Sequence, residues 1–173
     1  MFVKLCSWDV QLNRVTKVLK GGKSMKFRAC VVSGNHKGKV GYGVASAKEV
    51  VDAVERASAI AKASAISVPM NAGRTFPHKI QIKEGASRVM LRPASEGTGV
   101  IAGGSVRVVL ELAGYQNAFG KILGTPSAMN NARGTIAALS QMTTWKQVAE
   151  KRDVTIDFAM GLSSQPNELK VKK

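Results

Sequence analysis

Arg14-Val15-Thr16-Lys17-Val18-Leu19-Lys20-Gly21-Gly22-Lys23, continued through Lys26-Phe27-Arg28-Ala29-Cys30-Val31-Val32 and on to Lys48, is the stretch that decides how this chain reads. Residues 14–48 hold Arg14, Lys17, Lys20, Lys23, Lys26, Arg28, Lys37, Lys39 and Lys48, and no Asp or Glu. Val15, Val18 and Leu19 are interleaved with cations as in a strand. Gly21-Gly22 then makes a turn, and Met25 to Ser33 returns as a second strand. Gly34-Asn35-His36-Lys37-Gly38-Lys39 turns again into a third strand, Lys39 to Val44. There Gly41 and Gly43 keep the backbone slim where another element must come close. A solvated basic face interleaves both signs, as this chain does elsewhere. A β-ribbon with cations on its loops and no anion to quench them predicts a surface for a polyanion.

Downstream, Ser46-Ala47-Lys48-Glu49 has the form of a capping box and predicts a helix from Ala47. Val50, Val54, Ala57, Ala61 and Ala65 would share its apolar face, and Val68-Pro69 ends the unit. After a break at 70–77, Lys79 to Lys83 and Arg88 to Pro93 read as strands. The glycine-rich run Glu96 to Gly104 opens a helix carrying Val106, Val109, Leu110 and Ala113, with Gly114 as its terminal cap. Phe119 to Leu123 reads as a last strand. Thr125-Pro126 then caps a helix with Met129, Ala132, Ile136 and Leu139 on one face. A short helical stretch with Trp145, Val148 and Ala149 follows Thr144, and the tail from Ser163 is polar and expected to be mobile. The expected divisions are a lead-in (1–12), a βββα unit (13–72), a second α/β unit (73–143) and a helical extension with a basic tail (144–173).

With 173 residues, 45% hydrophobic and 21% charged, the chain is globular and long enough to bury a core. Aromatic residues make up 5%, which leaves the core to aliphatic side chains and argues against strand binding by serial base stacking. The formal charge of +15 is concentrated early: residues 1–74 carry 13 cations against 4 anions. Binding through that charge should be steeply salt-dependent. No apolar run is long enough to cross a bilayer, and no lipidation signal or basic amphipathic helix appears, so no membrane partner is expected. Cys6 and Cys30 fit no metal spacing and no disulfide framework, which points to a reducing compartment. The first residues are too short for a targeting peptide, so any such segment is expected to have been removed.

Catalytic signals are absent. His36 sits in a basic turn and reads as a phosphate or base contact rather than a general base. His78, Glu84, Glu96 and Glu111 stand alone, and no metal or cofactor is expected. The one enzyme-like feature is Gly97-Thr98-Gly99-Val100-Ile101-Ala102-Gly103-Gly104, whose N–H groups and following helix could cradle a phosphate. It lacks the lysine of a Walker loop and the G-x-G-x-x-G spacing, and a tight turn with close helix packing explains it equally well.

Three motifs resemble one family. Asn13 to Lys23, Gly34 to Gly43, and above all Gly85 to Gly104 with Val109-Leu110-Glu111-Leu112-Ala113-Gly114 are similar to ribosomal protein five of the small subunit, in its bacterial and organellar form. The resemblance covers roughly residues 10–160. It implies an α+β protein: a first domain related to double-stranded-RNA-binding modules, then an α/β domain with a left-handed βαβ crossover of a kind shared with some phosphotransferases. It implies a structural, non-enzymatic protein that binds small-subunit rRNA and is not a homo-oligomer. The RNA-binding residues would be Arg14, Lys17, Lys20, Gly21, Gly22, Lys23, Lys26, Arg28, Asn35, His36, Lys37, Lys39 and Lys48. Ribosomal proteins four and eight would be its neighbours near the mRNA entrance, with Glu96, Gly97, Thr98, Gly99 and Arg107 facing protein four. The Gly21-Gly22 loop would reach toward the subunit head, where the family influences decoding accuracy and spectinomycin sensitivity. This chain departs from the family pattern at Ala45-Ser46-Ala47, Ser127-Ala128 and Ser24-Met25. Thr75 to His78 and Leu123 to Met142 look chloroplast-like, with bacterial cytoplasm and mitochondrion as alternatives.

Overall fold

The computed structural model describes residues 6–71 and 73–161. A meander of β1 (Cys6–Leu19), β2 (Gly22–Gly34) and β3 (Lys39–Ala47) is followed by α1 (Val50–Ala63) and the short β4 (Ile66–Ser67). These strands form one antiparallel sheet in the order β1-β2-β3-β4. A second sheet has the order β5-β6-β8-β7, from β5 (Ile80–Glu84), β6 (Ser87–Pro93), β7 (Val100–Ile101) and β8 (Ala118–Ile122). Its β7 runs parallel to β8, the two being joined through α2 (Gly104–Ala113). Then come α3 (Ala128–Ser140), α4 (Trp145–Arg152) and α5 (Ile156–Ala159).

The unbroken apolar run Ala29-Cys30-Val31-Val32 is explained by burial on both sides of β2. Ala29 and Val31 pack with Ala53 and Ala57 of α1. Val32 points the other way, into a cluster with Val40, Val106, Leu110, Tyr115 and Leu139. Helices α2 and α3 touch both sheets, so the layers run α1, first sheet, α2 with α3, second sheet. One core therefore crosses the expected boundary between the two units.

Several expectations are corrected. Residues 6–12, read as part of a lead-in, are strand: Cys6 pairs with Gly34 and Leu12 with Ala29, with a bulge between Asp9 and Gln11. Cys6, Trp8, Val10 and Leu12 alternate with Ser7, Asp9 and Gln11, the period-two pattern of a strand that the lead-in reading passed over. Residues 1–5 and the tail from 162 lie outside the described residues. Ser46 caps nothing, because β3 continues to Ala47 and puts Ser46 opposite Arg28 in the ladder. The helix starts at Val50 after Glu49, without a side-chain cap. Similarly, α3 starts at Ala128 after Ser127 rather than at Pro126.

The buried stripe of α1 is Ala53, Ala57 and Ala61, while Val50 is exposed. Gly41 and Gly43 explain this choice. A Cβ on Gly41 would overlap the carbonyl of Ala61, and one on Gly43 that of Ala57. The helix backbone thus lies directly on the strand, and only alanine fits between them. The buried face of α3 holds Ala132 and Leu139 as expected, but also Asn131, Gly134 and Thr135. Its polar members are internally satisfied. Ser87 Oγ donates to Asn131 Oδ1 at 2.6 Å, Asn131 Nδ2 to the Thr125 carbonyl at 3.0 Å, and Thr135 Oγ1 to the Asn131 carbonyl at 2.7 Å. In α4, Thr144 and Gln147 form a reciprocal capping box.

Gly43→Ala should destabilise the fold by about 1–3 kcal/mol in urea denaturation, because the helix must move. Gly21→Ala, with nothing within 4 Å of the added carbon, should change stability by less than about 0.5 kcal/mol.

Candidate nucleic-acid interface

The β2–β3 ladder ends at Phe27 opposite Ala47. Beyond it β1 and β2 continue as a two-stranded ribbon, from Val15 opposite Lys26 to Leu19 opposite Gly22, closed by Lys20-Gly21. Five pairs at strand rise make an overhang of roughly 17 Å. Alternation puts Lys17, Lys26 and Arg28 on the ribbon face that continues toward α2 and α3. Arg14 and Lys23 lie on the face that continues toward α1. Val18, Leu19 and Met25, exposed among these cations, present apolar contact area at the tip.

The second turn is built differently. Asn35 Oδ1 accepts from the backbone N–H groups of Lys37 at 2.8 Å and Lys39 at 2.9 Å, which fixes the loop. The loop in turn grips the end of α2. His36 N–H donates to the Leu112 carbonyl at 2.9 Å and Gly38 N–H to that of Ala113 at 2.8 Å. His36 Nδ1 lies 2.7 Å from the Glu111 carbonyl. A carbonyl can only accept, so Nδ1 carries the proton. In the neutral ring Nε2 is then an acceptor, and only the imidazolium could donate to a phosphate. A Cβ on Gly114, at φ 103°, would overlap the His36 carbonyl, so the loop sits flush on the helix end. Asn35 and His36 therefore shape the loop, and Lys37 and Lys39 remain exposed on it.

Among the described residues the ion pairs are Arg107 Nε with Glu111 Oε1 at 2.7 Å and Arg133 with Glu84 at 2.8 Å. None of the nine cations in residues 14–48 takes part. Two weak acids of the first sheet, Cys30 and Tyr42, add no negative charge near neutrality. Burial pushes the Cys30 thiol up to about 11 and the Tyr42 hydroxyl up to about 12. Positive potential along the ribbon is left for an outside partner.

The expected protein-facing residues belong to two elements, a turn at 96–99 and α2. Gly97 and Gly99, at φ 86° and 77°, form an exposed turn, with Gly99 N–H bonded to Asn117 Oδ1 at 3.2 Å. The Glu96 carboxylate lies against Gly73. Arg107 stands one turn into α2 and spends its Nε on Glu111. His78 is engaged through Nδ1 near the Lys79 carbonyl and through Nε2, which accepts from Thr143 N–H at 3.3 Å. Sequence reasoning missed the loop-to-α2 clamp, because nothing local in Gly34 to Lys39 reports a partner some 75 residues away.

The fold and the site together define an α+β protein of two sheets that carries a cationic ribbon without an ion pair among the described residues. Two family models match the chain, the N-terminal domain of ribosomal protein S5 over residues 7–69 and its C-terminal domain over residues 82–152. The chain belongs to the ribosomal protein S5 family, a structural and non-enzymatic one. It is 56% identical over 148 residues to small ribosomal subunit protein uS5c of Spinacia oleracea, covering 86% of this chain and 48% of that protein, about half its length. It is 48% identical over 148 residues to uS5 of Synechococcus elongatus, covering 86% of this chain and 82% of the relative. With uS5c of Cyanophora paradoxa it shares 50% identity over 145 residues, covering 84% and 86%.

Replacing His36 tests the clamp. His36→Asn, which tolerates the left-handed φ of 54°, should cost about 1 kcal/mol in urea denaturation. His36→Ala should cost about 1 kcal/mol more, because it also strains the backbone.

Proposed function

We propose that this chain is a structural constituent of the small ribosomal subunit that anchors itself to small-subunit rRNA through its cationic ribbon. Arg14, Lys17, Lys20, Lys23, Lys26 and Arg28 meet phosphates along the ribbon, and Gly21 and Gly22 keep its corner narrow. Lys37, Lys39 and Lys48 extend the basic surface, with Asn35 and His36 holding their loop in shape. The observation that carries this reading is nine cations on one stretch with no ion pair among the described residues, in a chain of the S5 family.

Residues 13–72 are then the RNA-facing half and 73–143 the half that lies against neighbouring proteins, with 144–173 as an extension. Ribosomal proteins four and eight are the proposed neighbours, near the mRNA entrance, and the Glu96 to Gly99 turn with Arg107 is the part turned to protein four. A ribbon tip reaching toward the subunit head would couple this protein to decoding accuracy. The relatives named uS5c support a chloroplast ribosome as its place, over a bacterial or mitochondrial one.

Sucrose-gradient fractionation tests the assignment. The tagged chain should sediment with chloroplast small subunits and leave them at high salt. Recovery only at the top of the gradient at low magnesium-stabilised ionic strength would contradict it.

A further inference from the structure

The second sheet has two faces, and α2 and α3 pack on one of them. Val89, Leu91, Ala118 and Gly120 turn to the helix side, where a Cβ on Gly120 would meet Ala102 and Val106. Period-two alternation then puts Lys83, Arg88, Met90, Arg92, Phe119 and Lys121 on the outer side. Ile101 joins them, paired with Phe119 in the parallel ladder and 53% exposed. Met90, Ile101 and Phe119 line a shallow groove of about 530 Å³, with Arg92 and Lys121 at its sides.

The charge on this face has one sign. Lys83 stands directly opposite Arg88 in the ladder, and like charges in that position destabilise a sheet. Glu84, the acid next in sequence, turns to the helix side and pairs with Arg133 at 2.8 Å. None of Lys83, Arg88, Arg92 and Lys121 takes part in an ion pair among the described residues. A face that had only to meet water would alternate signs across its strands. Nor would it gather an aromatic, a methionine and an isoleucine at its centre, an arrangement that marks a surface to be covered. The two signals together select the occupant. The cations call for an anionic partner, and the groove calls for side chains that it can bury. A nucleic-acid backbone would meet the cations but leave Met90 and Ile101 against sugar and phosphate, and base stacking uses several aromatics where this face has Phe119 alone.

We propose that this face docks an acidic segment of another protein. Its apolar side chains enter the groove between Met90, Ile101 and Phe119, while its carboxylates meet Lys83, Arg88, Arg92 and Lys121. The inference rests on the reading of residues 73–143 as the half that lies against neighbouring proteins, and adds the sheet face to the turn at 96–99.

Anisotropy of a fluorescent helical peptide, with leucines along one side and glutamates on the rest, should report binding to the full chain. Phe119→Ser should weaken that binding about tenfold. Arg88→Gln should weaken it severalfold while raising the melting temperature, because the repulsion with Lys83 is gone. A merely structural role would not lower affinity as stability rises. Lys20→Gln, Lys23→Gln and Lys26→Gln together should leave the binding in place, which separates this face from the ribbon. In small subunits isolated with the tagged chain, a photo-crosslinker introduced as Phe119→p-benzoylphenylalanine should attach to an acidic segment of a neighbouring protein. Absence of peptide binding, binding indifferent to Phe119→Ser, equal binding of a peptide with its leucines scattered, or an adduct to rRNA overturns the proposal. Loss of the tagged chain from the subunits would count against the ribosomal reading instead, and the peptide assay on the free chain decides the docking face in either case.

Discussion

The last three carbonyls of α2 meet the turn that follows β2, and the rest of the structure depends on that meeting. Helix ends leave carbonyls without partners. Here those of Glu111, Leu112 and Ala113 are taken up by an imidazole and two backbone N–H groups of residues 36–38. The contact joins the first sheet to the helix layer of the second. Around it Tyr115 reaches across to donate its hydroxyl to the Pro69 carbonyl at 2.7 Å, and its ring lies 4.5 Å from that of Phe76. The basic ribbon is therefore an extension of a strand buried on both faces, and its base is held still while its tip projects into solvent.

Rigidity at the base has an electrostatic consequence. Like charges placed along a free hairpin would favour splaying or collapse onto any acid within reach. Residues 14–48 contain no acid, and Glu84 and Glu111 are paired with Arg133 and Arg107 away from that run. Two weak acids of the first sheet, Cys30 and Tyr42, are held neutral by burial. What remains is a fixed arrangement of cations whose mutual repulsion the sheet resists and a polyanion would relieve. Preorganisation of this kind trades a little stability of the free protein for affinity toward its partner.

Much of this was legible in the residues. The anion-free run, the glycine turns and the period-two alternation placed β2, β3 and the ribbon, and Gly114 marked the end of α2 correctly. What escaped notice had physical causes. The first half of β1 is the exception, since its alternation of Cys6, Trp8, Val10 and Leu12 with Ser7, Asp9 and Gln11 was there to be read. β7 is two residues long and lay hidden in a glycine run. Ser46 and Thr125 have the chemistry of caps, yet strand pairing claims the first and a network through Asn131 the carbonyl of the second. The α1 stripe was read correctly at Ala57 and Ala61, with Val54 packed beside them, but Val50 was chosen over Ala53 because valine seems the better core residue until the glycines of β3 bring the backbones together. The contact of His36 with the end of α2 went unread because a partner distant in sequence leaves no local trace.

The salt dependence of binding to a structured small-subunit rRNA fragment tests the central claim most directly, comparing the intact chain with a Lys20→Gln, Lys23→Gln, Lys26→Gln variant. Removing three phosphate contacts should reduce the slope of log affinity against log salt by about 2–3, and weaken binding across sequences. An unchanged slope with unchanged affinity would contradict the account, because the ribbon cations would then not be the groups that meet the RNA.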